Sequence, residues 1–364
     1  MNSKLKSSPQ KSSSKPRVSI GILVYKGSKY FDGLFESVFS SDYQDFEILV
    51  LDNNSPENDA SIIRKKFGKK VKVFRSQKNL GFAGGHNFLI KKSKGDFYLC
   101  LNQDVCLEKK FISSLIKSIN KDEKIAAVSG KILQWKTSAE ADLSQLPKCS
   151  FGSSTIDTVG IRAFSNHSFE DIGQGEVDRG QFEKEKEVFA CSAAAVLLRR
   201  SALEDIRFKN EKGKKEYFDE LFFMYKEDID LGYRLRWSGW KSFYVPQATA
   251  FHDRSVSRIK KGIVSMIKNR GHKSLSQRKM SFLHHKILLE KNFSSCFSFR
   301  VRFFTWWRNL LTEIWVFLFE RKIRPKKSSW SYLKKQIYFR KKQIKKRVSA
   351  REIERFFATP LKEL

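Results

Sequence analysis

The densest chemistry in this chain lies between Phe218 and His252, FDELFFMYKEDIDLGYRLRWSGWKSFYVPQATAFH. Asp219, Glu220, Glu227, Asp228 and Asp230 are interleaved with aromatics, and the stretch closes on His252. Carboxylates among apolar side chains lose solvation, which raises their pKa and suits a general base near neutrality. The same acids would also suit the first turn of a helix. Upstream, Asp52 could accept hydrogen bonds from a nucleobase or ribose, or cap a helix. In Asn102-Gln103-Asp104 one carboxylate could reach a divalent cation whose other ligands are phosphate oxygens and water, or the three could form a turn. Gly81 and Gly84, between Asn79 and Asn87, would let backbone approach a ligand closely, or make a plain turn. No G-x-G-x-x-G or Walker spacing is present. His252 could ligate a metal through a neutral imidazole or serve structure alone. Beyond it, Ser255, Arg258, Lys260 and Lys261 could close over a diphosphate or form an exposed basic loop.

These residues need elements to hold them. Val18 to Tyr25, Phe46 to Leu51, Val71 to Arg75, Asp96 to Leu101 and Ile125 to Leu133 are short apolar runs that read as buried strands. Helical stretches fall near Tyr30 to Phe39, Ala60 to Phe67, the glycine loop through Lys92, and Lys109 to Ile119. Alternation of this kind predicts a mostly parallel α/β sheet. Ligands then bind beyond the carboxyl ends of the strands, where Asp52, the glycine loop and Asp104 would converge. Residues 134–187 read as an extended loop region, and Val188 to Leu198 returns to apolar character.

Charge divides the chain. Net charge is +32 overall, but residues 18–254 carry 37 basic and 33 acidic side chains, whereas residues 255–364 carry 29 and 6. A nearly neutral body thus bears a strongly basic tail, suited to an anionic membrane or nucleic acid. Residues 1–16 are Ser/Lys-rich and read as a disordered basic terminus rather than a signal or anchor. The five cysteines form no C-x-x-C pair, which argues against structural zinc and for a reducing compartment.

Taken in order, VSIGILVY, FEILVLDNNS, NLGFAGGHN, YLCLNQDV and the KEDIDLGYRLRWSGW stretch with its later Pro and His resemble family-2 glycosyltransferases of the GT-A fold, in particular the rhamnosyltransferase-like branch. The resemblance implies an inverting, metal-dependent transfer of a sugar from a nucleotide-diphosphate sugar, dTDP-rhamnose among them. The acceptor would be a hydroxyl of a glycan or lipid-linked sugar in cell-envelope polysaccharide assembly. It implies that Val24, Tyr25, Asp52, Asn79, Gly81, Gly84, Asn87, Asn102 and Gln103 bind the donor. Asp104 and His252 would hold Mg2+ or Mn2+. Asp228 would be the catalytic base, and Cys191, Ser192, Glu227 and Trp240 would lie on the acceptor side or support it. Two positions depart from the family pattern: Asn102 stands for the first Asp of D-x-D, and Tyr25 is followed by Lys26 instead of Asn.

The expected organisation is a GT-A domain over residues 17–260 and a basic, aromatic helical region over 261–364. Within the latter, Phe303, Trp306, Trp307, Leu310, Leu311, Ile314, Trp315 and Leu318 follow helical spacing. A Trp-bearing amphipathic helix beside Lys/Arg runs suits a membrane interface, on the cytoplasmic face of the cell membrane. Packing on the body or on a second subunit, in a homo-oligomer, is the alternative. Two other functions fit parts of the chain: a nucleotidyltransferase of similar fold, and a basic nucleic-acid-binding protein. The neutral body and the lack of a nucleic-acid module weigh against the second.

Overall fold

The computed structural model describes residues 17–135, 154–253 and 274–360. The N-terminal segment 1–16, the loop carrying Ser255, Arg258, Lys260 and Lys261, and the expected domain boundary at residue 260 lie outside them.

The sheet is built around β1 (Val18–Val24), whose seven residues are buried or nearly so on both faces. Such two-sided burial is what a central parallel strand requires. The chain continues through α1 (Phe31–Phe39), β2 (Phe46–Asp52), α2 (Asp59–Phe67), β3 (Lys72–Arg75), α3 (Gly81–Lys92), β4 (Phe97–Asn102), β5 (Val105–Leu107), α4 (Phe111–Ile119) and β6 (Ile125–Gln134). Strands β3, β2, β1 and β4 are neighbours in that order and all parallel. In register, Val24 faces Asp52 and Leu23 faces Asn102, so the carboxyl ends of β1, β2 and β4 finish level with one another.

Residues 154–187 are not the extended loop expected from sequence. They form β7 (Ile156–Thr158), β8 (Ile161–Phe164), β9 (Phe169–Asp171) and β10 (Lys186–Glu187). Strands this short, separated by Gly160, Gly173 and Gly175 at positive φ, lack the periodicity that would announce them. Next, β11 (Ala195–Arg199) inserts antiparallel between β4 and β6. Its amino end therefore sits beside the carboxyl end of β4. After α5 (Arg200–Ile206) and the small hairpin β12 (Phe208–Lys209) and β13 (Lys215–Glu216) come α6 (Glu227–Trp237) and β14 (Lys241–His252). β14 runs parallel to β6 and pairs antiparallel with β5, which sets His252 opposite Val105, next to Asp104.

Helices cover both faces. Phe31, Leu34, Phe35 and Val38 of α1 and Phe111, Ile112, Leu115 and Ile119 of α4 share one core with Ile20, Ile22 and Val24. On the opposite face Ala83 and Leu89 of α3, Leu203 of α5 and Leu231 of α6 pack with Leu49, Tyr98 and Cys100. This is a three-layer α/β/α body.

The C-terminal region folds onto that body. It comprises α7 (Leu275–Asn292), α8 (Phe299–Phe319), α9 (Lys327–Lys341), α10 (Ala350–Glu354) and β15 (Phe357–Ala358), which adds a parallel strand to β8. Ile287 and Leu288 of α7 and Ile353 of α10 share a core with Phe222, Ile229, Tyr233 and Trp237. At the same junction lies a buried charge cluster. Lys291 of α7 contacts Asp219 and, at 2.5 Å, Asp230; Arg340 of α9 contacts Glu216 and Asp219, each at 3.0 Å; Arg234 reaches Asp230 at 2.9 Å. All six side chains are almost fully buried.

Candidate active site

Level strand ends gather the loops after β1, β2 and β4 along one edge of the sheet, where the ligand crevice of such sheets lies, and local hydrogen bonds shape it. The backbone N–H of Tyr25 donates to Gln103 Oε1 at 2.9 Å, and Gln103 Nε2 donates back to the Tyr25 carbonyl at 3.2 Å, so Gln103 ties the β1 and β4 ends together. Val24 is buried beneath, while Tyr25 is exposed. Asp52 is fully buried. Its two oxygens accept from the N–H groups of Ser55 (2.7 Å) and Ala60 (3.1 Å), with Arg75 Nε 3.5 Å away. That carboxylate braces the turn after β2. Its neighbour Asn53 accepts from Leu80 N–H at 2.8 Å and donates to Asn79 Oδ1 at 2.9 Å, joining that turn to the glycine loop.

Gly81 opens α3 at φ +68°, and a Cβ there would come within 2.3 Å of the Phe223 carbonyl. Only glycine permits both the left-handed backbone and this approach. Asn87, one helical turn beyond Gly84, clamps the segment entering the acidic stretch. It accepts from the N–H groups of Tyr217 and Phe218, both at 2.9 Å, and donates to the Phe218 carbonyl at 2.8 Å.

Glu227 and Asp228 begin α6, immediately after Tyr225 and Lys226 at φ +69° and +71°. Two consecutive non-glycine residues in the left-handed region cost on the order of 1–3 kcal/mol each and persist only where surroundings hold them. Here Phe82 N–H donates to the Phe223 carbonyl at 2.7 Å, and His284 Nδ1 of α7 lies 3.3 Å from the Tyr225 carbonyl. The strained turn aims Asp228 at the segment preceding β11, where it accepts a backbone hydrogen bond from Ala193. The next residue, Ala194, accepts from Asn102 N–H at 2.9 Å. One short segment thus links the start of α6 to the end of β4. Burial first, then the negative charge of Asp171, push Asp228 up to about 6. Burial and the adjacent Asp228 raise Glu227 well above the carboxylate range.

At the other side of the crevice, His252 Nδ1 lies 2.8 Å from Asp157 Oδ2, and its Nε2 is 3.5 Å from Asp104 Oδ1. Burial alone would lower the imidazole pKa; the Asp104 and Asp157 carboxylates outweigh it and raise it to about 9. Tyr30 donates to Asp253 at 2.6 Å, and Asp253 N–H donates to the Asp104 carbonyl at 3.0 Å, fixing this loop from the turn that leads into α1. Among the described residues no group of three or more His, Cys, Asp and Glu side chains gathers as a metal cage. Asp104 and His252 nevertheless fit a shared cation that would take the place of the imidazole Nε2 proton: a carboxylate oxygen and an imidazole nitrogen leave the remaining positions to phosphate oxygens and water. An Nδ1–H held by Asp157 is the usual outer support of a ligating histidine.

The remaining expected residues are placed as follows. Cys191 is buried, its Sγ 3.5 Å from the Phe243 carbonyl and its thiol pushed up to about 11 by burial, and Ser192 is half-buried beside it. Trp240 precedes β14, at the opposite end of that strand from His252, and donates to Asp205 at 2.9 Å. The structure therefore does not bring Trp240 to the crevice. Asn53, Asp157, Tyr30 and Asp253 were not singled out in the sequence. Asn53 had a signal in the polar DNNS turn; Asp157 had none.

Residues 19–207, more than half of the chain, match the family model described as glycosyl transferase family 2. The chain belongs to that family. This glycosyltransferase is 25% identical over 225 residues to the O-antigen biosynthesis protein RfbC of Myxococcus xanthus, covering 59% of this chain and 16% of the relative. It is 42% identical over 73 residues to an N-acetylglucosaminyl-diphospho-decaprenol L-rhamnosyltransferase of Mycobacterium tuberculosis, covering 20% of this chain and 21% of that one. The chain thus spans about a fifth or less of these relatives' lengths. Among solved structures, GalNAc-T7 with UDP, GalNAc and Mn2+ superimposes with a TM-score of 0.58 at 13% identity, covering 94% of this chain and 56% of that one. The glycosyltransferase has the GT-A fold, and its family separates it from the nucleotidyltransferases that share related architectures.

Proposed function

We propose that this glycosyltransferase inverts the anomeric centre of a nucleotide-diphosphate sugar, with dTDP-rhamnose as the leading donor, and that Asp228 is the base. The acceptor is a hydroxyl of a glycan or lipid-linked sugar in envelope polysaccharide assembly, met at the inner face of the membrane. What carries the reading is the position of Asp228, aimed by a strained turn into the segment that also holds the β4 end, with its pKa at about 6. At pH 7 such a carboxylate is mostly ionised yet basic enough to take a proton. As the acceptor oxygen attacks the anomeric carbon, its proton passes to Asp228 and the bond to the diphosphate breaks, releasing the nucleoside diphosphate. Asp104 and His252 would hold Mg2+ or Mn2+, which when bound supplies positive charge against the diphosphate. Asn79, Gly81, Gly84, Asn87 and the Tyr25–Gln103 pair shape the donor side. The likeness to the rhamnosyltransferase supports the donor choice. A panel of UDP-, dTDP- and GDP-sugars with each metal, scored by thermal shift and by nucleotide release, tests it. Turnover with dTDP-rhamnose that Asp228→Asn abolishes while donor binding persists is expected. Full turnover by Asp228→Asn overturns the assignment of the base.

A further inference from the structure

The tail helix α8 is docked the wrong way round for a core helix. Toward the body it buries only Val301, Thr305 and Val316. Its large side chains point outward: Phe299, Phe303, Trp306, Trp307, Leu310, Leu311, Ile314, Phe317 and Leu318 are each between 38% and 75% exposed. Spacings of three and four place these nine on one stripe of the helix, opposite the docked side. With roughly half of each side chain exposed, and ~150–250 Å² for an aromatic, the stripe presents about 800 Å² of apolar surface. Patches on typical monomers reach only ~300–600 Å².

Basic side chains frame the stripe. Arg300 and Arg302 at its start, and Arg321, Lys322, Arg324, Lys326 and Lys327 beyond its end, are all exposed. Arg321 lies over the Phe317 ring, 4.5 Å from its centroid. The only acid in α8 is Glu313, and it is already paired with Lys286 and Arg324 at 2.6 Å each. Among the described residues no helix is long and apolar enough to cross a membrane.

We propose that the outward face of α8 lies in the plane of an anionic membrane, with the Phe303–Leu318 stripe in the headgroup–acyl boundary and the Arg/Lys frame on lipid phosphates. Charge decides between occupants. A second copy would bring a like-charged frame against this one, whereas anionic lipid complements it. Two tryptophans at the centre of the stripe have the amphipathic rings that favour this depth. The inference extends the membrane-side placement of the proposed function, yet the surface is separate from the crevice, so membrane binding and donor turnover stand or fall independently.

The test is sedimentation of the full chain with vesicles of phosphatidylcholine alone or with about one-third phosphatidylglycerol, alongside light scattering of the free protein. Wild type is expected to sediment with the anionic vesicles, with a blue shift in tryptophan emission, and much less with neutral ones. Trp306→Glu with Leu310→Glu is expected to weaken this by tenfold or more, with the far-UV helical signal and a cooperative melt retained. Replacing Lys322, Lys326 and Lys327 by Gln should weaken binding to anionic vesicles and narrow the preference over neutral ones. The proposal is overturned if the doubly charged variant sediments like wild type. It is also overturned if wild type ignores both vesicles, and a dimer that this variant makes monomeric would assign the face to a second copy instead.

Discussion

Lys291→Met offers the sharpest test of how the tail supports the site. In the buried cluster Glu216, Asp219 and Asp230 face Arg234, Lys291 and Arg340, a formally neutral set of six. Methionine preserves the length and packing of the stem but leaves one carboxylate charge uncompensated at a site with no solvent access. Asp219 is the vulnerable one: burial would raise its pKa, and Lys291 and Arg340 hold it below the usual range. Breaking one side of a buried pair costs ~3–5 kcal/mol. With an unfolding entropy of ~2.1 cal/mol/K per residue, a chain of this length would lose about 4–7 °C in Tm. Differential scanning fluorimetry of wild type, Lys291→Met, Asp219→Asn and the double variant reads this directly. The double variant restores neutrality and should recover more than half of the loss. If Lys291→Met melts within a degree of wild type, or the two single losses simply add, the cluster is not the junction described.

Two further outcomes follow from the crevice. Because Asp228, as the proposed base, would have to be ionised to accept a proton, kcat/KM should be flat above about pH 6 and fall as pH drops through that value, and a flat profile from pH 5 to 8 would exclude it as the titrating base. Asp157→Asn removes the charged partner of His252 Nδ1, so Mn2+ affinity, titrated calorimetrically with dTDP present, should weaken ~10–100-fold; unchanged affinity would detach His252 from the metal.

Much of the architecture could be read from residue order. The runs VSIGILVY, FEILVL and DFYLCL are apolar enough to be central strands, and parallel strands bring their carboxyl ends together, so Asp52, Asp104 and the glycine loop had to share an edge. The roles within that edge were less legible. Asp52 and Asn87 are polar residues at ligand-facing positions in the chain, yet their side chains are occupied by backbone N–H groups, a distinction that only three-dimensional packing makes. Asp157 reaches His252 across 95 positions from a three-residue strand too short to show a period. Lys291 sits in a Lys/Arg-rich tail, where nothing in the sequence sets it apart from its solvated neighbours. Its burial depends on Asp219 and Asp230 of the acidic stretch, whose sequence pattern equally suits the first turn of a helix.

The pairing of β15 with β8 has a mechanical meaning. Helix α8 is anchored before its start by α7 and after its end by a chain that returns through α9 and α10 to the body's small sheet. A surface helix on a loose tether would let the enzyme swivel above a bilayer. On the membrane docking proposed above, one fastened on both sides would act as a fixed foot, and the distance and tilt between the lipid plane and Asp228 would be constants of the fold. Acceptors would then be graded by the length of the spacer between their lipid anchor and the hydroxyl that reacts.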